Sequence, residues 1–164
     1  MENISKHISY EEATFSPEAK RLRIDNTPDK DNLENMKALA EKVFEPIREK
    51  FGVPIYIHSF YRSQKLNKAI GGSKTSQHMA LEGSAAIDID FEVYKRNVTN
   101  KEAFDWIRKN IEFDQLIAED IDDKGNINWI HISYNRFGKN RGQVMKMVIK
   151  VDENGERKKI YEEY

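Results

Sequence analysis

Asn128-Trp129-Ile130-His131-Ile132-Ser133-Tyr134 decides the fold of this chain. Apolar and polar residues alternate with a period of two, which predicts a strand bearing Trp129, His131 and Ser133 on one face and Ile130 and Ile132 on the other. The isoleucines belong to a core. The histidine therefore faces the aromatic and hydroxyl side, as a pocket residue does. A second stretch, Ala85-Ala86-Ile87-Asp88-Ile89-Asp90-Phe91, alternates in the same way and sets Asp88 between two isoleucines. A carboxylate in the middle of such a strand is costly unless it is paired or metal-bound. Asp90 shares that face and competes for the role; Asp88 is the preferred candidate.

A third polar group arrives from a loop. Gly71-Gly72-Ser73-Lys74-Thr75-Ser76-Gln77-His78 follows a brief helix over 63–70 and ends on a histidine. His78, Asp88 and His131 together make two imidazoles and one carboxylate, the three-ligand set of a hydrolytic zinc site with its fourth position left for water. The other histidines read as structural, His7 in an exposed N-terminal segment and His58 inside a strand.

Around these stretches the chain is organised as one α+β domain with a central antiparallel sheet packed with helices. Residues 1–26 form a polar, irregular extension anchored by Tyr10, Phe15 and Leu22. Thr27-Pro28 reads as a helix start. Leu33, Met36, Leu39, Ala40, Val43, Phe44 and Ile47 then recur at spacings of three and four, marking one apolar face. Gly52 ends this helix, and Pro46 kinks it. Pro54 to Ser59 is a short strand. Thr99-Asn100-Lys101-Glu102 is a capping box that opens another helix. Phe113 to Glu119 and Ile127 to Tyr134 are strands joined by an acidic turn. Val144 to Val151 and Lys158 to Tyr161 flank Asn154-Gly155, a hairpin signal, so that 152–164 is a C-terminal hairpin and tail. The cluster Arg157-Lys158-Lys159 reads as solvated.

Composition narrows the function classes. With 34% charged and 38% hydrophobic residues and a net charge of −1, the chain suits a globular domain and offers no bulk attraction for nucleic acid or anionic membrane. It contains no cysteine, so any metal must be held by His, Asp or Glu. Its start lacks the apolar stretch of a signal peptide. The expectation is a monomer that stays in the cytoplasm unless something else releases it.

These motifs, taken in order, resemble the zinc D-alanyl-D-alanine carboxypeptidase family, which shares its fold with the Hedgehog signalling domain. The matching stretches are Ile24-Asp25-Asn26-Thr27-Pro28, Ser59-Phe60-Tyr61-Arg62-Ser63 with Leu66-Asn67, Gly71-Gly72-Ser73, Ser76-Gln77-His78, Phe113-Asp114-Gln115-Leu116-Ile117 and Trp129 to Tyr134. The resemblance implies that His78, Asp88 and His131 bind zinc, and that Arg62 grips a substrate carboxylate or carbonyl, a task suited to its planar fork. It further implies that Ser76, Gln77 and Trp129 line the site and that the substrate is a peptidoglycan stem peptide. The branch it looks most like is the phage and prophage cell-wall peptidase, which reaches the wall through a holin or as part of a virion.

Two departures stand out. Met79-Ala80-Leu81-Glu82-Gly83 makes the loop between the first two ligands longer than the family's, with Ser84 where a glycine is usual. Many members carry a glutamate at the position of Asn128, as general base on the water, and asparagine cannot accept that proton. Glu119, at the end of the neighbouring strand, takes the role in this reading. The alternative is a catalytically inactive, metal-binding structural or virion module of the same fold. A non-haem iron oxygenase uses a similar donor set, but the long gap between His78 and Asp88 and the helical content argue against it.

Overall fold

The computed structural model describes residues 1–164. Six strands form one sheet in the order β1-β2-β4-β3-β5-β6: β1 Tyr56–Ser59, β2 Ser84–Asp90, β3 Gln115–Glu119, β4 Trp129–Asn135, β5 Gln143–Val151 and β6 Arg157–Glu163. The α+β reading holds, with one difference in the sheet. Strands β3 and β5 pair parallel, Gln115 with Gln143 and Ala118 with Lys146, so the sheet is mixed. The intervening strand β4 is inserted beside β3, which lets β5 return on β3's free edge in the same direction.

Six helices complete the fold: α1 Tyr10–Thr14, α2 Pro17–Leu22, α3 Lys30–Leu39, α4 Glu45–Phe51, α5 Gln64–Ala69 and α6 Asn100–Asn110. The expected irregular extension is thus two short helices, each N-capped by a serine, Ser9 and Ser16. Its anchors are Ile4, Ile8 and Ala13, with Tyr10 packed against the core as expected, whereas Phe15, 62% exposed, and Leu22 are not anchors. Each capping serine satisfies a free amide of the first turn, so short polar segments fold where their few apolar residues reach the core.

The long helix starts at Asp29, not Thr27. Asp29 and Asn32 exchange capping hydrogen bonds in a capping box. Between α3 and α4 the chain widens into a π-turn over Ala40–Phe44, where the Glu45 amide donates to the Ala40 carbonyl. Pro46 explains this. It has no amide to donate, and its ring crowds the carbonyl four residues back, so the wider turn relieves the clash without ending the helix. Met36, Leu39, Val43, Phe44 and Ile47 are buried against β2 and its neighbours. Each contributes roughly 1.5–3 kcal/mol of burial, and Leu39→Ala alone would cost about 2–5 kcal/mol.

One face of the sheet carries this apolar layer, including Ile87, Ile89, Ile130 and Ile132. The other face presents Asp88, His131 and Glu119 to a cleft. No helix is long and apolar enough to cross a membrane.

Candidate functional site

Strand pairing brings the distant polar residues together. Asp88 on β2 lies directly opposite His131 on β4, and Asp88 Oδ1 accepts from His131 Nδ1 at 2.9 Å. On the far side of β4, Glu119 pairs with Trp129 and Ile117 with His131, so Glu119 is the diagonal neighbour of His131 on the same face.

His78 arrives from a 3-10 turn, Gln77–Met79, and several bonds hold it there. Its Nδ1–H donates to the Phe60 carbonyl at 2.8 Å, which turns Nε2 toward Asp88 Oδ2 at 3.3 Å. Its own carbonyl accepts from the Arg62 amide. The next carbonyls are held from the long helix: Asn32 Nδ2 and Asn35 Nδ2 both donate to the Ala80 carbonyl at 3.0 and 2.8 Å. These two buried asparagines carry no signal in the sequence beyond being polar residues near the apolar face of a helix.

The longer loop from 79 to 83 is accommodated by left-handed backbone at Ala80, Glu82 and Gly83. That lets the chain double back and enter β2 in the register that sets Asp88 opposite His131. At Gly83, with φ +82°, a Cβ would collide with the Phe137 ring, so this is a position only glycine fills without strain.

The ligand atoms of His78, Asp88 and His131 lie within 4.8 Å of one another. Tetrahedral ligands about 2.0–2.1 Å from zinc stand ~3.3 Å apart; the two oxygens of Asp88 already stand 2.9 and 3.3 Å from the imidazole nitrogens, and the three groups, within 4.8 Å, draw together to share one ion. Nitrogen and carboxylate donors, with no thiolate, suit zinc with an open position. The Phe60 carbonyl fixes the tautomer of His78, the usual second partner of a ligating imidazole. Burial would raise the Asp88 carboxyl, but the charge on His78 and hydrogen bonds from His131 and His78 outweigh it. They hold Asp88 well below the usual carboxylate range.

Glu119 is different. It is 6% exposed, and its Oε2 is buried without a hydrogen-bond partner. Burial pushes its carboxyl up to about 7, opposed by His131 and assisted by Asp88. The orphaned Oε2 is closed off from solvent, so it is through its other oxygen that Glu119 lines the cleft beside the three metal-type donors. Asn128 is not so placed. It precedes β4, is exposed, and donates to Asp120 at 3.2 Å.

Arg62 lines the same cleft. Its Nη1 donates to Asn67 Oδ1 at 3.2 Å, and no carboxylate pairs with it. Asn67, itself buried, also donates to the Ser73 carbonyl, fastening the arginine to the glycine-containing loop. Gly72 is required there, because a Cβ would stand 2.8 Å from Asn67 Cγ.

Of the other expected residues, Ser76, Gln77 and Trp129 line the cleft. The Gln77 amide, however, donates to Asp114 at 2.7 Å, and Arg141 grips the same carboxylate through two nitrogens, so Gln77 braces the loop. Ser133 is fully buried and accepts from the Gln115 amide. Asp90 lies outside the cluster: it pairs with His58 at 2.9 Å and accepts from Asn100. His7 pairs with Glu45.

The cleft, about 680 Å³ in volume, is completed by residues not anticipated as functional: Gln115, Ile117, Met145, Lys159 and Tyr161. Lys159 is solvated, as expected for the basic cluster, but it stands on a strand that borders the site and not on a loose tail. The hairpin is legible in the sequence, but which face of β6 meets the cleft depends on the parallel β3–β5 pairing, which has no local sequence signal. A family model described as Peptidase M15 matches residues 6–133. A search of curated proteins finds no match.

Proposed function

Because the chain belongs to the Peptidase M15 family, we propose that it hydrolyses peptide bonds with a zinc ion held by His78, Asp88 and His131. The observation that supports this most is the orphaned Glu119 carboxylate diagonal to His131, beside a complete and closely spaced donor set. Bound there, zinc would acidify a water and polarise the scissile carbonyl.

The protein's own groups do the rest. The proton on His131 Nδ1 toward Asp88 must pass to Nε2 before Nδ1 can hold an ion, and because an imidazole ligates only in its neutral form, protons compete with the metal at acid pH. Glu119 accepts the attacking water's proton at its cleft-facing oxygen and delivers it to the departing amine nitrogen. Its raised proton affinity suits both halves of that shuttle. Arg62 has five N–H donors, of which one is engaged by Asn67. The remainder are available to a substrate's terminal carboxylate or carbonyl. Trp129 forms the wall next to the ligands and restricts water.

The substrate in this reading is a peptidoglycan stem peptide, and the role is that of a phage or prophage lytic enzyme. Both rest on the resemblance of the motifs around Arg62, His78 and His131. The test is mass spectrometry of products from defined muropeptides, using zinc-loaded protein beside His131→Ala. New peptide ends from the first and none from the second are expected. Identical product profiles would end the hydrolase reading and favour a metal-binding module without turnover.

A further inference from the structure

The cleft is walled on one side by a hairpin outside the residues that carry the family match. Strands β5 and β6 run over 143–163, whereas the family model ends at 133. On β6, Lys159 and Tyr161 stand two residues apart on one face, opposite Ile149 and Met147, and both line the cleft. The family model therefore says nothing about what this segment adds.

The charges on the hairpin are not equivalent. Lys146 and Lys150 lie 3.8 and 3.9 Å from Glu162, and Lys158 lies 3.9 Å from Asp152. Lys159, turned to the cleft, has no carboxylate within 4.0 Å. Arg62 is in the same condition, with a single side-chain bond to a neutral amide. The two sit at opposite ends of the strand order. Arg62 follows β1, Lys159 is on β6, and Asp88, Glu119 and His131 lie on the strands between. Two unpaired cations thus face one groove from its two ends, with the candidate chemistry in the middle. With a divalent ion bound, positive charge in the groove exceeds that of Asp88 and Glu119, which favours an anionic guest.

We infer that Lys159 is a specificity-determining residue that receives a substrate carboxylate at the end of the cleft opposite Arg62, so that this chain selects peptides carrying a carboxylate on each side of the scissile bond. The inference rests on the peptide-hydrolase reading above for the position of that bond. Arg62 takes the carboxylate on the C-terminal side, and Lys159 takes one on the residue preceding the cut. The Lys159 ammonium is exposed, so it reaches the carboxylate without a large desolvation cost, and its effect is screened by salt.

Two synthetic peptides with free C-termini, differing only in glutamyl against glutaminyl before the cleavable bond, test this on the zinc-loaded full chain. The wild type should favour the glutamyl peptide in kcat/KM by about fivefold at low salt, the scale of one exposed charge pair. Lys159→Met should bring the ratio to near unity, and Lys159→Glu should invert it. Calorimetric titration of zinc-loaded Glu119→Gln with both peptides should show the same ratio in Kd, lost when Lys159→Met is added. Equal binding of the two peptides, or equal slowing of both by Lys159→Met with a displaced pH profile, would overturn the inference; the latter would make Lys159 a positioning residue for Glu119. Discriminating binding without turnover of either peptide would leave the carboxylate site standing and end the hydrolase reading. Turnover without discrimination would do the reverse.

Discussion

Asp88 and His131 are direct partners across strands β2 and β4, and the same pair is joined side chain to side chain at 2.9 Å. Sheet register therefore fixes two of three candidate ligands before any ion is present. A slip of β2 by one residue would turn Asp88 to the core face and away from His131. Only His78 depends on a loop, and that loop is held from Phe60, Asn32 and Asn35.

Such a preformed site should bind zinc and be stabilised by it. At a hundredfold excess over Kd the stabilisation is about 2.7 kcal/mol, or about 2–4 °C of Tm per kcal/mol for a chain of this size. Differential scanning calorimetry with and without zinc should show the rise. His131→Ala should show little of it, and chelator should remove both the rise and the activity. An equal rise in His131→Ala would place zinc elsewhere.

Gly72→Ala should act on Arg62 without touching the ligands. The added methyl displaces Asn67, which is buried, fastened to Ser73, and the sole side-chain partner of Arg62. Backbone strain is not involved, since Gly72 has no positive φ. KM should rise by about tenfold, the equivalent of roughly 1.4 kcal/mol, with zinc affinity unchanged. Asn67→Ala should reproduce the effect. Zinc affinity falling in step with KM would mean that the loop carrying His78 had moved instead.

Much of the site is legible in the sequence because strand alternation is a local signal. Asp88 and His131 follow from period-two patterns, Glu119 from its place at the end of the neighbouring strand, and Arg62 and His78 from the motifs in which they stand. What is not legible is set by pairings between distant segments. The parallel β3–β5 contact decides that Met145, Lys159 and Tyr161 wall the cleft. The burial of Asn32 and Asn35 depends on where the loop at Ala80 docks. Phe15 looks like an anchor by its chemistry, yet it lies between the two short helices and remains exposed, while Ala13 and Ala19 beside it are buried.

Gly83→Ala should destabilise the fold at the long loop. Gly83 combines a φ of +82° with a Cβ position that meets the Phe137 ring and Asn135 Oδ1. Strain of this kind costs about 1–3 kcal/mol. Phe137 is 62% exposed and is free to swing away, which places the expected loss toward the lower end of that range. Urea denaturation should show a lower midpoint, with Phe137→Ala in the same background recovering part of it. A midpoint equal to the wild type's would mean that the loop relaxes without cost.

Glu119 links stability to pH in a direction opposite to most carboxylates. Its carboxyl is raised from an ordinary 4.5 to about 7, chiefly by burial, so the metal-free folded state binds its proton more tightly than the unfolded state does. The contribution is present in full below 4.5 and is lost as pH rises to about 7, beyond which the buried carboxylate is a net cost. Glu119→Gln abolishes that loss. The difference in Tm between variant and wild type, measured without metal, should therefore be more favourable to the variant near pH ~8 than near pH ~4.5. A bound divalent ion favours the ionised carboxylate, so zinc should shrink the pH dependence and carry the acid limb of kcat/KM below about 7. If Glu119 is the base, the same substitution should cost on the order of 10²–10⁴ in kcat while zinc content is retained. Near-wild-type turnover in Glu119→Gln would assign the proton to another group and leave the orphaned oxygen without a role.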